Sequence, residues 1–179
     1  MKSILLLRHY KTIIDEKVPS SLWTLESNYL NKMPSFSKQA DIIYTSPEPK
    51  ALITAKLISE RFKIDYIIEP KLSEISRDQG GFVKNYNDTV KQYFQEKDRF
   101  DNKYMWEDYL SAEKRIYHFL KDLSDKKHNY PLIISHGMLI SILYSQIKKV
   151  DTYRFWEELN FGEELIISNR EFLVYLKGL

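Results

Sequence analysis

Short apolar segments alternate along the chain with segments that place apolar residues every three or four positions. The short segments are SILLL, DIIY, DYIIE, PLIIS, ELIIS and FLVYL, rich in β-branched or aromatic residues and mostly apolar on both faces. Strands of this kind are typical of sheets that helices cover on each side. The pattern therefore predicts an α/β fold with a parallel or mixed sheet.

Helical spacing is clear in two of the longer segments. Their apolar positions are Ala51, Ala55, Ile58 and Phe62 in one and Tyr109, Ala112, Ile116, Phe119 and Leu123 in the other. Residues 73–105 are more polar and hold the only Gly-Gly pair, which predicts an irregular loop and one amphipathic helix over the sheet edge. No repeat or linker is visible, so residues 1–179 are expected to form one domain.

Composition narrows the classes of function. The 27 Lys and Arg residues against 25 Asp and Glu residues give a net charge of +2, too small to attract nucleic acid or an anionic membrane. The absence of cysteine excludes disulfides, thiolate metal sites and cysteine nucleophiles. The apolar run at residues 4–7 is shorter than the core of a signal peptide, and no 18-residue apolar stretch exists. We therefore expect a soluble, cytoplasmic protein.

Polar side chains follow three of the predicted strands at the point where each strand ends. They are Arg8 and His9, then Ser46, Pro47 and Lys50, and then Ser135, His136 and Gly137. Ligands of open α/β sheets bind outside the carboxyl ends of the strands, where the following helices begin. Two imidazoles, a guanidinium, an ammonium and two helix N-termini facing one crevice predict an anion site, and phosphate is the commonest such anion.

Four segments, LLLRHY, IYTSPEPKALITA, LSEISRDQGG and LIISHGM, resemble in order and approximate spacing the four motifs of the histidine phosphatase superfamily, the phosphoglycerate mutase-like enzymes. The resemblance covers nearly the whole chain. It implies a three-layer α/β sandwich with a mainly parallel central sheet, helices on both faces and a small cap. Residues of about 73–105 are the expected loop and cap region.

The resemblance also implies a chemistry. His9 would be the nucleophile that forms a phosphohistidine, and Glu74 would protonate the leaving oxygen and then activate water. Arg8, Lys50 and His136 would bind the phosphoryl oxygens, with His136 also counted as catalytic. The scheme implies no metal and no cofactor. Its partner is a small phosphorylated substrate or inorganic phosphate.

The sequence departs from the family pattern at two positions near the expected pocket. Tyr10 follows Arg-His where the family usually has glycine, and Lys50 stands where the family has a second arginine. Because lysine replaces a bidentate fork with a point charge, Lys50→Arg is predicted to raise phosphatase efficiency. Three interpretations of Tyr10 stay open: it narrows the pocket, contacts the substrate or points into the cap. Thr12 and Arg77 are further possible substrate contacts.

Each candidate also has a plain structural interpretation. An alternative interpretation places Lys50 at a surface position of a helix, and for Arg77 a solvated loop position is favoured over a substrate contact. Glu69 or Asp78 could take the acid role in place of Glu74. His118 and His128 lack a second histidine or carboxylate at zinc-binding spacing and are interpreted as structural.

The leading hypothesis is a metal-independent phosphomonoesterase. One alternative is a catalytically weak relative that binds a phosphorylated ligand or protein, and a second is phosphoglycerate mutase-type phosphoryl transfer. A third is a role in assembly only, in which YRFWEELNFGEE would be either a partner surface or a strand connection. Composition is compatible with a monomer or a dimer.

Overall fold

A five-stranded sheet lies at the centre of the fold. The computed structural model describes residues 1–28, 39–101 and 103–178. The strands are β1 (Ser3–Arg8), β2 (Ile42–Thr45), β3 (Tyr66–Ile68), β4 (Pro131–Ser135) and β5 (Glu164–Ser168). Their order across the sheet is β3-β2-β4-β1-β5. Every neighbouring pair is parallel except β1 and β5, which are antiparallel.

Helices cover both faces of this sheet. Among the described residues they are α1 (Pro49–Phe62), α2 (Tyr86–Glu96), α3 (Tyr109–Ser124), α4 (Gly137–Lys148), α5 (Thr152–Glu158) and α6 (Asn169–Lys177). The predicted apolar stripes of α1 and α3 are buried, apart from the partly buried Phe62. None of the helices within the described ranges is long and apolar enough to cross a membrane.

The core has two parts, because alternate residues of each buried strand point to opposite faces. Leu5 and Leu7 of β1 pack with the buried side of α1 on one face. Ile4 and Leu6 pack on the other face with residues from α2, α3, α4 and α6. This three-layer arrangement around a mainly parallel sheet confirms the predicted fold class.

One predicted strand is wrong. The segment FLVYL lies inside α6, which begins with a capping box between Ser168 and Glu171. Phe172 and Tyr175 are three positions apart and buried, whereas the side chain of Val174 between them is 65% exposed. The β-branched and aromatic composition favoured a strand, but the cap and the helical spacing decided the structure.

The polar region at 73–105 contains an irregular loop followed by the amphipathic helix α2, as the sequence predicts, and residue 102 lies outside the described residues. The buried face of α2 presents Val90, Tyr93 and Phe94 to the core. The treatment of this region as a cap and of the chain as one domain stays a prediction.

Candidate active site

The parallel pairing of β1 with β4 brings the two predicted site histidines together. Arg8 and Ser135 are register partners at the ends of these strands, so the next residues, His9 and His136, leave the sheet side by side. The His9 backbone N–H also donates to the Ser135 carbonyl at 3.0 Å. The imidazole rings pack edge to face, with centroids 5.0 Å apart.

His9 is held in one tautomer by the backbone carbonyl of the next residue. Its Nδ1 lies 2.7 Å from the carbonyl oxygen of Tyr10, and because a carbonyl can only accept, Nδ1 must carry the proton. In the neutral ring the lone pair is therefore on Nε2. Burial, and next the positive charge of Lys50, lower the pKa of His9 well below its ordinary value, so the ring is neutral at physiological pH. A neutral, oriented imidazole on a cavity wall is equipped to act as a nucleophile.

Arg8 lies beside His9 with its guanidinium held from two sides. Nη1 donates to the backbone carbonyl of Leu159, and the guanidinium carbon lies 3.9 Å from the ring centroid of Phe161. Its Nε is buried and has no hydrogen-bond partner among the described residues. Gly137 makes this position possible, since a Cβ there would lie 3.1 to 3.2 Å from the guanidinium group.

His136 is completely buried behind His9 and is not among the residues that line the cavity. Its Nε2 lies 2.8 Å from the Ser46 hydroxyl and 3.5 Å from a carboxylate oxygen of Glu48. Its Nδ1 is buried with no partner in the described part of the chain. Burial, followed by the effect of His9, lowers the pKa of His136 well below its ordinary value. The predicted phosphate contact would therefore have to reach a ring that lies beneath the cavity surface.

Glu74 does line the cavity, and its carboxylate lies over the first turn of α4. One oxygen, Oε1, accepts from the backbone N–H groups of Ile75 and Leu139 at 3.0 Å, and the other, Oε2, accepts from Met138 at 3.1 Å. Each oxygen can accept two hydrogen bonds, so Oε2 keeps one acceptor site. The carboxylate also lies beside the N-terminus of α4, whose partial positive charge attracts a negative group.

The loop that carries Glu74 is fixed by Arg115 of α3. The Arg115 guanidinium donates to the carbonyls of Lys71, Ser73 and Glu74 at 2.7, 2.8 and 3.3 Å. It is itself held by a salt bridge to Glu107 at 2.7 Å. Arg115 therefore helps to position the backbone that carries the Glu74 side chain.

Lys50 is at the site but is already paired. The ammonium group forms an ion pair with the carboxylate of Glu48, and it donates to the Ser20 carbonyl at 2.7 Å. Only 4% of Lys50 and 8% of Glu48 are exposed, so the interpretation of Lys50 as a surface helix residue is wrong. Burial raises the pKa of Glu48 from its ordinary value, while Lys50 opposes that rise. The same carboxylate accepts from the backbone N–H of Glu74 at 2.7 Å.

Arg77 and Thr12 line the cavity, whereas Tyr10 does not. The plain interpretation expected Arg77 to extend into solvent, but its guanidinium lies over the Tyr86 ring at 4.7 Å and donates to the Tyr86 hydroxyl. The Tyr10 side chain is 2% exposed and packs against Gly162, where a Cβ would lie 2.9 Å from the ring. The predicted substrate contact of Tyr10 is therefore wrong for its side chain, and its contribution is the carbonyl that orients His9.

Four further residues that the sequence singled out lie at different distances from this site. Of the two alternative acids, Asp78 lines the cavity and Glu69 does not, since Glu69 caps the turn at Pro70–Leu72. His118 is exposed on α3, and His128 lies 3.2 Å from the hydroxyl of Tyr44. No group of three or more His, Cys, Asp or Glu side chains suited to holding a metal ion occurs in the described ranges.

Three residues of the site were missed by sequence reasoning: Glu48, Arg115 and Phe161. Glu48 carried a signal, since a carboxylate two positions from a predicted phosphate ligand invites pairing with it. Arg115 gave none, because its contacts reach more than 40 residues back along the chain. Phe161 lies in YRFWEELNFGEE, which forms α5 and the connection to β5, so the interpretation as a strand connection describes the fold.

No curated protein sequence matches the chain. Among solved structures, it is similar to phosphoserine phosphatase of Entamoeba histolytica in complex with 3-phosphoglyceric acid, with 21% identity, a TM-score of 0.71 and coverage of 95% of this chain and 92% of that one.

Two further structures show the same fold. Bacillus stearothermophilus YhfR has 17% identity, a TM-score of 0.72 and coverage of 94% of this chain and 91% of that one. A putative alpha-ribazole-5'-P phosphatase of Escherichia coli has 16% identity, a TM-score of 0.69 and coverage of 96% and 93%. The profile of the histidine phosphatase superfamily (branch 1) matches residues 33–163. The chain thus belongs to the histidine phosphatase superfamily, branch 1, and the fold places its Arg-His pair, which precedes the matched residues, next to the histidine within them.

Proposed function

We propose that the chain is a metal-independent phosphomonoester hydrolase that works through a phosphohistidine on His9. The observation that carries the proposal is the tautomer of His9, since the Tyr10 carbonyl holds the proton on Nδ1 and leaves the lone pair on Nε2 at the cavity wall. Membership of the histidine phosphatase superfamily supports the same chemistry. Arg8 Nε, a buried donor without a partner among the described residues, belongs to a side chain that lines the same cavity.

In the first step the Nε2 lone pair of His9 attacks phosphorus, and the bond from phosphorus to the leaving oxygen breaks. The leaving oxygen takes a proton from Glu74, whose Oε2 retains an acceptor site beside the cavity. Arg8 binds phosphoryl oxygens while negative charge builds on them. An unpaired buried polar atom is costly, so the unpartnered Nε of Arg8 fits a group whose partner arrives with the substrate.

In the second step the Glu74 carboxylate takes a proton from water, and the water oxygen attacks phosphorus. The phosphorus–nitrogen bond breaks, and its electron pair returns to Nε2 of His9. Inorganic phosphate is released and the carboxyl group is protonated again, so atoms and charge balance over the cycle. Lys50 lines the cavity with its charge balanced by Glu48, and Arg77 and Thr12 are the proposed contacts to the rest of the substrate.

The test is the release of phosphate from a panel of phosphomonoesters in the presence of a chelator. We expect His9→Asn to abolish release, whereas His118→Asn, which alters an exposed histidine of α3, should retain the parent rate. Substrate labelled in the phosphoryl group should leave an alkali-stable, acid-labile label on the parent protein and none on His9→Asn. Release that survives His9→Asn, or that requires an added divalent ion, would contradict the proposal.

One observation favours a second candidate. Because Glu48 neutralises Lys50, the site has one fewer uncompensated cation than the predicted anion site, as expected of a protein that binds a phosphorylated ligand without rapid turnover. Saturable phosphate binding by the parent without hydrolysis of any ester would support that candidate. Phosphoryl transfer to an added alcohol in preference to water would instead support the mutase-type alternative.

A further inference from the structure

The cavity that begins at His9 has a volume of about 410 Å³, which is within the usual range for a small organic ligand. We propose that it accepts phosphomonoesters whose leaving group is an apolar alcohol that carries a ring. The inference rests on the proposed function, because it concerns what is attached to the phosphoryl group at the same site. It is argued from the lining of the cavity and from the positions of its charges.

Apolar and aromatic side chains form most of the cavity wall. They include Ile14, Val18, Trp23, Phe82, Trp156 and Phe161. Ile14 is 65% exposed and Phe82 is 46% exposed, although both are large apolar residues. A leaving group that covered these side chains would remove apolar surface from water, which is favourable in proportion to the area covered.

The aromatic wall begins at the reacting end of the cavity. The Phe161 ring lies 5.6 Å from the His9 ring, between centroids, and also covers the Arg8 guanidinium. A second group of aromatic rings also lines the cavity, in which the Tyr86 ring centroid lies 5.9 Å from that of Trp156 and 6.0 Å from that of Trp106. A flat ring attached close to phosphorus would therefore meet aromatic faces and edges, the contacts that rings prefer.

The cations of the cavity are not arranged for a second anionic group. Lys50 is paired with Glu48, and Arg77 donates to Ser20 and Tyr86. Beyond Arg8, which serves the phosphoryl group, Lys17 is the remaining cationic side chain of the described lining.

Lys17 does not form a carboxylate-binding site. It is exposed and adjoins Glu16, and its backbone N–H is bonded to Asp15 at 2.9 Å. A substrate carboxylate would thus meet, on the described lining, only the Arg77 guanidinium, which already donates to two hydroxyl groups and lies over the Tyr86 ring. In this respect the expected substrate differs from 3-phosphoglyceric acid, the ligand of the Entamoeba histolytica relative.

The experiment compares esters of aliphatic alcohols, so that differences in rate do not arise from an activated aryl leaving group. The probes are 2-phenylethyl phosphate, glycerol phosphate, O-phosphoserine and 3-phosphoglycerate. We expect kcat/KM for 2-phenylethyl phosphate to exceed the value for each of the others by about tenfold or more, the size of effect that an apolar pocket produces.

Substitution of the wall provides the matched control. Phe82→Ala should reduce the ratio of kcat/KM for 2-phenylethyl phosphate to that for glycerol phosphate by about tenfold. Val174→Ala removes an exposed apolar side chain from α6, outside the cavity lining, and should leave the ratio unchanged. A ratio that does not respond to Phe82→Ala, or a preference for phosphoserine or 3-phosphoglycerate, would overturn the inference while leaving the proposed hydrolysis intact.

Binding separates this inference from the proposed function. If the parent hydrolyses none of the four esters, the proposed function fails, and calorimetric titration of each ester still tests the cavity. Tighter binding of 2-phenylethyl phosphate than of glycerol phosphate, lost in Phe82→Ala, would uphold the apolar selectivity. Equal affinity for the two esters would overturn it.

Discussion

The carboxylate of Glu48 and the ammonium group of Lys50 form a buried ion pair at the position where the family pattern has a second arginine. A charge that was expected to face the substrate is therefore engaged by the chain itself. Glu48 also accepts the backbone N–H of Glu74 and lies 3.5 Å from His136 Nε2, so this one carboxylate contacts three predicted site residues.

This pair changes the expected effect of Lys50→Arg. An arginine at position 50 would still face Glu48, so the single variant should raise kcat/KM only slightly. Glu48→Gln combined with Lys50→Arg should raise it by about tenfold, because one added charge-assisted hydrogen bond to phosphate contributes about 1.5 kcal/mol. Steady-state kinetics of both variants on one ester provide the measurement, with circular dichroism to verify folding. A double variant slower than the parent would show that the site is fitted to lysine.

Gly137→Ala tests the position of Arg8. The new Cβ would lie 3.1 to 3.2 Å from a guanidinium group that Leu159 and Phe161 already hold in place, so the group must shift. Because misplacing a phosphoryl ligand weakens transition-state binding, we expect kcat/KM to fall by about tenfold or more. Gly178→Ala is the control, since a Cβ at position 178 would lie 3.4 Å from its nearest neighbour, a backbone oxygen of α6. Equal activity of the two variants would contradict the expected displacement of Arg8.

Arg115→Met tests whether the loop that carries Glu74 depends on its anchor. The change removes three hydrogen bonds to loop carbonyls and leaves Glu107 without its cation. We expect kcat to fall more than KM changes, because the acid group is misplaced while the phosphoryl contacts persist. Lys114→Met, at an exposed neighbouring position, should have little effect on either constant. An unchanged kcat in Arg115→Met would exclude this positioning role.

The buried histidines should make stability depend on pH. The pKa values of His9 and His136 are lowered in the folded chain, so below about pH 6.5 the unfolded chain binds more protons than the folded chain. Their contribution is complete above that pH, and the free energy of unfolding should fall as pH decreases from 6.5, by up to about 1.4 kcal/mol per unit for each histidine. Urea denaturation at several pH values between 7.5 and 5 gives the free energy of unfolding at each pH. This free energy should fall less steeply with decreasing pH in His9→Asn than in His118→Asn.

The sheet and the reactive pair were predictable because both are local in sequence. Buried strands are marked by their composition, and Arg8 and His9 follow such a strand directly, as His136 follows another. FLVYL was predicted as a strand but lies in a helix. The helix begins with the side-chain cap at Ser168, which a prediction from composition alone does not consider.

The partners of the charged side chains were not predictable, because they depend on contacts between distant segments. Lys50 is neutralised by a near neighbour but reaches the Ser20 carbonyl 30 residues away, and Arg77 meets Tyr86 only after the loop has folded back. The orientation of Tyr10 likewise depends on Gly162, more than 150 residues later. Motifs identify which residues gather at the site, whereas their partners follow from tertiary packing.

Ser20 joins two parts of the site that would otherwise be independent. Its carbonyl accepts from Lys50 and its hydroxyl accepts from Arg77, while the segment around it supplies Val18 and Trp23 to the cavity wall. We therefore expect a leaving group that displaces this segment to displace both cations as well. Selectivity in this chain should accordingly appear in the rate of the chemical step as well as in affinity.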